Sequence, residues 1–120
     1  MNKVILIGRL GQDPELKTLS EGRTMARFSL ATNRQRKAPA GENSKNNTQW
    51  HRVVAWDKSA ELAGAYLTKG REVCVEGRIQ TRKWKDSSGR DQFTTEVVAQ
   101  HLTFIGRRQD STSTHEEVAA

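Results

Sequence analysis

Hydrophobic and polar positions alternate along much of the first half of the chain, which is the period of a β-strand. The opening segment, residues 3–9, is a short and nearly continuous apolar run, as in a strand that is buried on both faces or paired across an interface. Residues 23–33 place apolar side chains at every second position, and residues 49–56 follow as a further strand. Turn signals at 11–14 and 20–22 separate the first of these segments.

In the second half the period changes once and then returns to that of a strand. Apolar residues spaced for one face of a helix stand at Leu62, Ala63, Tyr66 and Leu67. Asp57 or Ser59 is the expected cap of this helix, and Gly70 its expected C′ residue after Lys69. Residues 71–85 and 91–99 then predict two strands joined by a hairpin turn, with a last short strand at 102–105. Gly77, inside the first of them, predicts a bend or bulge.

These elements predict an all-β fold: a five-stranded OB-fold Greek-key barrel with one short helix and a long β-hairpin. Residues 34–48 lack periodicity and predict a long loop. We expect one domain over residues 1–106 and a flexible, disordered polar tail over residues 107–120.

Charge and composition narrow the function. The chain has 20 Lys and Arg against 14 Asp and Glu; residues 107–120 hold two basic and three acidic groups, so residues 1–106 carry 18 against 11. This excess favours a polyanionic partner, nucleic acid before membrane. The longest apolar run is far too short to span a bilayer, and the start lacks a signal-peptide pattern. With a single cysteine, Cys74, a reduced cytoplasm is expected.

Catalytic and cofactor motifs are missing from the sequence. Its three histidines are isolated, and its carboxylates are scattered among basic residues. No phosphate-binding, dinucleotide-binding, zinc-protease or nucleophile-elbow motif is present. We therefore expect a protein that is not an enzyme and that needs neither a cofactor nor a metal.

The tryptophans of the strand over residues 49–56 suggest a binding surface. Period-2 geometry places Trp50, Arg52 and Trp56 on one face, and His51 on the other. Arginine between two tryptophans makes an improbable core but a good surface for stacking bases and contacting phosphate. The alternative is that both rings pack against a neighbouring element while Arg52 reaches out to solvent.

A second basic and aromatic cluster lies near the hairpin. Trp84 shares the face of Arg82 and follows Lys83, which favours base stacking over a purely structural role. Further cations expected to follow the phosphates are Arg34, Arg36, Lys58 and Lys69. The remaining aromatics, Phe28, Tyr66, Phe93 and Phe104, sit on apolar faces and are expected in the core.

Several segments together carry a resemblance to a known family. In chain order they are Asn2-Lys3-Val4-Ile5-Leu6, Gly11-Gln12-Asp13-Pro14-Glu15, Phe28-Ser29-Leu30-Ala31-Thr32-Asn33, Trp50-His51-Arg52-Val53-Val54, Tyr66-Leu67-Thr68-Lys69-Gly70, Val75-Glu76-Gly77-Arg78 and Thr81-Arg82-Lys83-Trp84. As a set, and over residues 1 to about 106, they resemble the bacterial single-stranded DNA-binding protein family.

The resemblance implies an OB-fold homotetramer that binds single-stranded DNA without sequence preference in replication, recombination and repair. It implies stacking by Trp50, Trp56 and Trp84. It implies cationic contacts at Arg52, Lys58, Lys69, Arg82 and Lys83. His51 matches a subunit-interface position, and Val4 and Leu6 of the opening strand are expected there as well.

The chain departs from the family pattern at two places. Arg36 stands where many members carry a fourth stacking aromatic, which leaves three expected platforms. Replication and repair proteins are implied as partners, but the usual acidic C-terminal tip is absent from a sequence that ends at Ala120. The alternative function is a primosomal-type OB-fold protein that docks other proteins and binds single strands only secondarily.

Overall fold

The computed structural model describes residues 1–36, 45–106 and 117–119. The elements in chain order are β1 (Val4–Leu10), β2 (Glu15–Thr18), β3 (Thr24–Arg36), β4 (Lys45–Trp56), α1 (Lys58–Tyr66), β5 (Glu72–Lys85), β6 (Asp91–Phe104) and β7 (Glu117–Ala119).

Five of these strands close into a barrel, which confirms the predicted fold. Their order is β1-β5-β6-β4-β3, and β1 returns to β3 through the pairs Arg9–Ala31 and Leu10–Leu30. Neighbours are antiparallel except β4 and β6, which run parallel through Val53–Val97 and Val54–Val98. Closure removes the open edges that a sheet of this size would otherwise expose.

The core follows from the alternation of the strands. On β3, Ala26, Phe28 and Leu30 point inward, and Val53 and Ala55 do the same on β4. The other buried members of the core cluster are Leu10, Ala60, Ala63, Leu67, Val73, Val75, Val97, Ala99 and Leu102. Burying apolar area of this kind contributes about 25 cal/mol per Å² and stabilises the barrel.

The helix ends earlier than the sequence predicts. It stops at Tyr66, and Leu67 adopts an extended conformation while its N–H still bonds the Ala63 carbonyl. Gly70 is therefore not the C′ residue. It takes a φ of 85° in a separate turn, where its N–H donates to the Leu10 carbonyl and ties the connection to the end of β1.

Gly77 marks the predicted irregularity between β5 and β6. The register shifts between Glu76 and Gly77, and a Cβ at this glycine would lie 1.9 Å from the Val98 carbonyl oxygen. No side chain fits there, because the two backbones approach too closely. The last two strands predicted from the sequence are in fact one strand, β6, that continues through this bulge.

The arms on either side of residues 37–44 are longer than expected. β3 extends to Arg36 and β4 begins at Lys45, so both run into the segment predicted as a loop. The sequence also gives no sign of β2, whose four residues are all exposed and carry no apolar alternation. β7 pairs with β6 at residues 101–103, whereas residues 107–116 of the expected tail lie outside the described residues.

Candidate nucleic-acid interface

The outer face of β4 presents two of the three predicted side chains to solvent. Trp50 is 59% exposed, and its ring lies over Gly11, where a Cβ would come within 2.6 Å of the ring carbon Cζ3. Arg52 is exposed and makes no ion pair or hydrogen bond with any of the described residues. At about 3.3 Å per residue, the strand separates Trp50 from Trp56 by about 20 Å.

Trp56 is less open than the sequence suggests. Its ring is half-buried, and the Arg23 guanidinium carbon lies 4.5 Å from the ring centroid, which is within cation–π range. Arg23 is held by Asp57 through Nη2–Oδ2 at 3.0 Å and Nε–Oδ1 at 3.4 Å. Asp57 occupies the N-cap position of α1, but its carboxylate caps no helix N–H because it bonds Arg23 instead.

A groove of about 430 Å³ crosses the outer face of the sheet between β2 and the β5–β6 hairpin. Its lining residues are Gln12, Asp13, Glu15, Arg27, Phe28, Ser29, Arg52, Val53, Val54, Arg82 and Glu96. Three guanidiniums therefore meet in one concavity. Arg27 is paired with Glu15, and Arg82 donates from Nε to Glu96 at 2.9 Å, whereas Arg52 has no carboxylate partner among the described residues.

Glu96 is a part of this groove that the sequence analysis missed. Its side chain is 95% buried, and it accepts hydrogen bonds from Arg82 at 2.9 Å and from the Gln80 amide at 3.5 Å. A carboxylate buried to this extent needs a cationic partner. The alternation of β6 could have placed it there, because Glu96 lies on the outer face with Val98, opposite to the inward-facing Val97.

The third tryptophan stands on the hairpin that borders the groove. Trp84 is 42% exposed, lies on the same face of β5 as Arg82, and donates its indole N–H to Thr94 Oγ1 at 2.8 Å. This bond fixes the ring in orientation while a large part of it remains open to solvent. Lys83 faces the opposite way and pairs with Asp91 at 3.2 Å.

The tip of this hairpin is ordered by one carboxylate. Asp86 Oδ1 accepts the backbone N–H groups of Ser88 at 2.8 Å and Arg90 at 3.0 Å, and Oδ2 accepts the Gln92 amide at 3.0 Å. The Arg90 N–H is the chief reason why the pKa of Asp86 lies below its ordinary value. The bonds hold the turn that joins β5 to β6.

The prediction that Phe93 belongs to the core is wrong, since its side chain is 67% exposed. The inward parity continues along β6 from Val97 to Phe93, but the hairpin extends past the end of the barrel, so that the described residues leave most of the ring uncovered. Phe28 is buried as expected, whereas Tyr66 and Phe104 are half-buried and contact each other with ring centroids 5.5 Å apart.

The remaining predicted cations whose side chains the structure describes do not line the groove. Arg34, Lys58 and Lys69 are exposed. Arg34 lies on the long arm of β3, Lys58 is the first residue of α1, and Lys69 follows the end of that helix. The backbone N–H of Lys69 is anchored by Asp13 Oδ1 at 2.8 Å. Arg36 pairs with Lys45 in the backbone register, and its side chain lies outside the described residues.

The residues predicted for a subunit interface divide between two environments. Val4 and Leu6 are half-buried against the core, and the exposed apolar members of β1 are Ile5 and Ile7, each 56% exposed. His51 is half-buried, with Nε2 at 2.8 Å from Thr32 Oγ1. The apolar surface of β1 is therefore formed by the neighbours of the residues named from the sequence.

Other chemical features point to no further site. Burial, with a smaller contribution from Glu76, raises the pKa of the Cys74 thiol. Within the described ranges, no three His, Cys, Asp or Glu side chains come together as metal ligands. The described residues include no helix that is long and apolar enough to cross a membrane.

A closed five-stranded barrel with cations and exposed tryptophans around an outer groove defines an OB-fold protein of the nucleic-acid-binding class. The model of the Single-strand binding protein family matches residues 1–105. The chain is also similar to the structure of a Plasmodium falciparum SSB in complex with single-stranded DNA. The identity is 38% and the TM-score 0.78, over 88% of this chain and 96% of that chain. The chain belongs to the single-strand binding protein family, which confirms the resemblance, and it is a DNA-binding protein and not an enzyme.

Proposed function

We propose that the chain binds single-stranded DNA without sequence preference, stacking bases on Trp50, Trp56 and Trp84 and contacting phosphates through Arg52 and Arg82. The observation that carries the proposal is the groove that contains Arg52, which has no carboxylate partner among the described residues, together with the exposed rings of Trp50 and Trp84. Each ring lies two residues from a groove arginine on the same strand face, Trp50 from Arg52 and Trp84 from Arg82. Every base has a π-face, so that stacking tolerates any sequence. We propose that Arg34, Arg36, Lys58, Lys69 and Lys83 add further positive charge along the path of the strand.

The experiment that tests this proposal is a titration of intrinsic tryptophan fluorescence with poly(dT) at two salt concentrations. Stacking predicts strong quenching, and affinity falls as salt rises because bound phosphates release counterions. Poly(dA) and poly(dC) should quench in the same way, since the bases are not read by hydrogen bonds. Fluorescence that stays unchanged at saturating DNA would refute the stacking roles.

The biological setting that we propose is the protection and organisation of single strands during DNA replication, recombination and repair in the cytoplasm. Membership of the family and similarity to a protein solved with single-stranded DNA support this setting. The direct test is complementation of a strain depleted of its own single-strand binding protein. Failure to restore replication by a chain that binds DNA normally in vitro would argue against it.

We further propose that the chain assembles as a homotetramer. Ile5 and Ile7 support this, because two large apolar side chains more than half exposed on one strand favour burial against a second copy. Light scattering should give four times the mass of one chain, and Ile5→Ser with Ile7→Ser should lower that mass. Leu16→Ser, at another exposed apolar position, is the matched control that should leave the mass unchanged. A wild-type protein with the mass of one chain would overturn the proposal.

A further inference from the structure

Arg23 stands beside the predicted site but belongs to none of its sequence motifs. It directly precedes β3, on which Met25, Arg27 and Ser29 face away from the core. Arg23 continues this parity, and Met25 pairs directly with Trp56. The register therefore brings the Arg23 side chain to the ring at the end of β4.

Three contacts show that the guanidinium is held in place over this ring. Its carbon lies 4.5 Å from the Trp56 centroid, and two of its nitrogens bond the two carboxylate oxygens of Asp57. Asp57 is fixed in turn, because its backbone N–H donates to the Thr24 carbonyl at 2.8 Å. A two-point Arg–carboxylate bond fixes the plane of the guanidinium as well as its position.

The backbone of Asp57 adds a second sign of specialisation. Its φ of 54° and ψ of −118° lie in a region that L-residues avoid, and it is the only described residue other than glycine with a positive φ. Such a conformation costs on the order of 1–3 kcal/mol and persists only where surrounding contacts enforce it. Its side chain does not cap α1, so the contact that it makes instead is with Arg23.

We propose that Arg23 is a further DNA-contacting residue and that it forms one composite platform with Trp56, on which a base stacks against the guanidinium plane. This inference rests on the proposed function. Guanidinium planes stack on unpaired bases as aromatic rings do, and arginine is weakly hydrated, so little water has to be removed. Arg23 is about half exposed and is therefore accessible from the side opposite to the ring. Asp57 is the positioning residue that keeps the plane over Trp56.

A positioning role for Asp57 and its negative charge alone predict opposite effects on DNA affinity when the carboxylate is removed, so the experiment can distinguish them. A carboxylate near DNA repels phosphate, so on electrostatic grounds its removal should tighten binding. If Asp57 positions Arg23, its removal should weaken binding instead. Asn is the suitable replacement, because it has nearly the same shape as Asp without the charge and is, like Asp, enriched among residues with a positive φ.

The test measures the affinity of the full chain for a fluorescein-labelled oligo(dT) by anisotropy, which does not depend on tryptophan emission. Arg23→Ala should weaken binding about fivefold, the low end of the effect of removing one stacking platform. Arg23→Lys should weaken it nearly as much, because lysine keeps the charge but lacks the plane. Asp57→Asn should weaken binding in the wild-type background and strengthen it slightly in the Arg23→Ala background, where only its repulsion remains.

Three results would overturn the proposal. Wild-type affinity in Arg23→Ala would show that the residue makes no contact, and tighter binding would show that it shields Trp56 from bases. Wild-type affinity in Arg23→Lys would show that charge alone matters. Trp50→Ala, measured in parallel, separates this inference from the proposed function: if it weakens binding while the Arg23 variants do not, only the composite platform fails. Arg23 and Trp50 are both exposed, and thermal melting verifies that each variant is folded.

Discussion

Gly11 should determine how well Trp50 stacks, although it touches no base itself. A methyl group at this position would lie 2.6 and 2.7 Å from two carbons of the Trp50 ring. Carbon atoms in ordinary contact are about 3.5–4.0 Å apart, so in Gly11→Ala the ring must move by about 1 Å. Because Trp50 is largely exposed, it can move without disturbing the core, and the change should affect binding and not folding.

The size of the effect has an upper limit that can be measured. Removing one stacking platform costs about 1–3 kcal/mol, which at 1.4 kcal/mol per factor of ten is roughly 5- to 140-fold in Kd. Trp50→Ala should lie in this range, and Gly11→Ala should weaken binding by less. The melting temperature of Gly11→Ala should be unchanged or slightly higher, since alanine restricts the unfolded chain by about 0.4–1 kcal/mol.

Binding of labelled oligo(dT) to Gly11→Ala, Trp50→Ala and the double variant forms a mutant cycle. Gly11→Ala should have no further effect once the ring is gone. Gly64→Ala is the matched control, because its Cβ would also approach an exposed side chain at 2.6 Å, but its three nearest atoms all belong to Leu16 and none to a tryptophan. Wild-type affinity in Gly11→Ala, or an equal loss with and without the Trp50 ring, would refute the reasoning.

Two further predictions concern the carboxylates of the hairpin. Glu96→Gln should lower the free energy of unfolding in urea by about 1 kcal/mol, since half-exposed Arg82 loses a buried ionic partner. It should also steepen the salt dependence of DNA binding. If neither the stability nor the salt dependence changed, the result would contradict the pairing. Carboxyl NMR should show the pKa of Asp86 below the ordinary value of an aspartate, so that its contribution to stability is complete above the unfolded-state pKa and is lost as pH falls through the lower folded-state pKa. A pKa at or above the ordinary aspartate value would count against the hydrogen bonds of the turn, and Asp86→Ala should remove this acid dependence.

The arrangement of β4 was predictable from sequence because it depends on period alone. A strand with Val53 and Ala55 inward must place Trp50 and Arg52 outward once its inner face is buried. The same rule failed for Phe93, since parity gives the face of a strand but not how far the covering core extends. The exposed residues of β2 leave no pattern from which a strand could be predicted.

The partners of the site residues could not be predicted, because they come from other strands. Arg23 and Asp57 are 34 residues apart, and Arg82 and Glu96 are 14 apart. Each contact depends on the register of two paired strands, which a single sequence does not specify. The ring of Trp50 likewise meets Gly11 only after β1 has closed the barrel against β3. Sequence therefore identified the rings, and structure identified what orients them.

The carboxylate partners of the groove arginines also reduce how strongly the positive charge of the groove attracts phosphate. For single-stranded DNA, the logarithm of the binding constant falls with the logarithm of the salt concentration, with a slope of about −0.7 per phosphate neutralised. Three free arginines in the groove would therefore contribute about −2 to this slope. Two of the three, Arg27 and Arg82, already face carboxylates, and a phosphate that joins them displaces or shares an existing ion pair. Arg52 alone brings an uncompensated charge into the groove. Affinity there should therefore depend more on stacking than on charge, since the carboxylates that orient the guanidiniums also offset much of their attraction for phosphate.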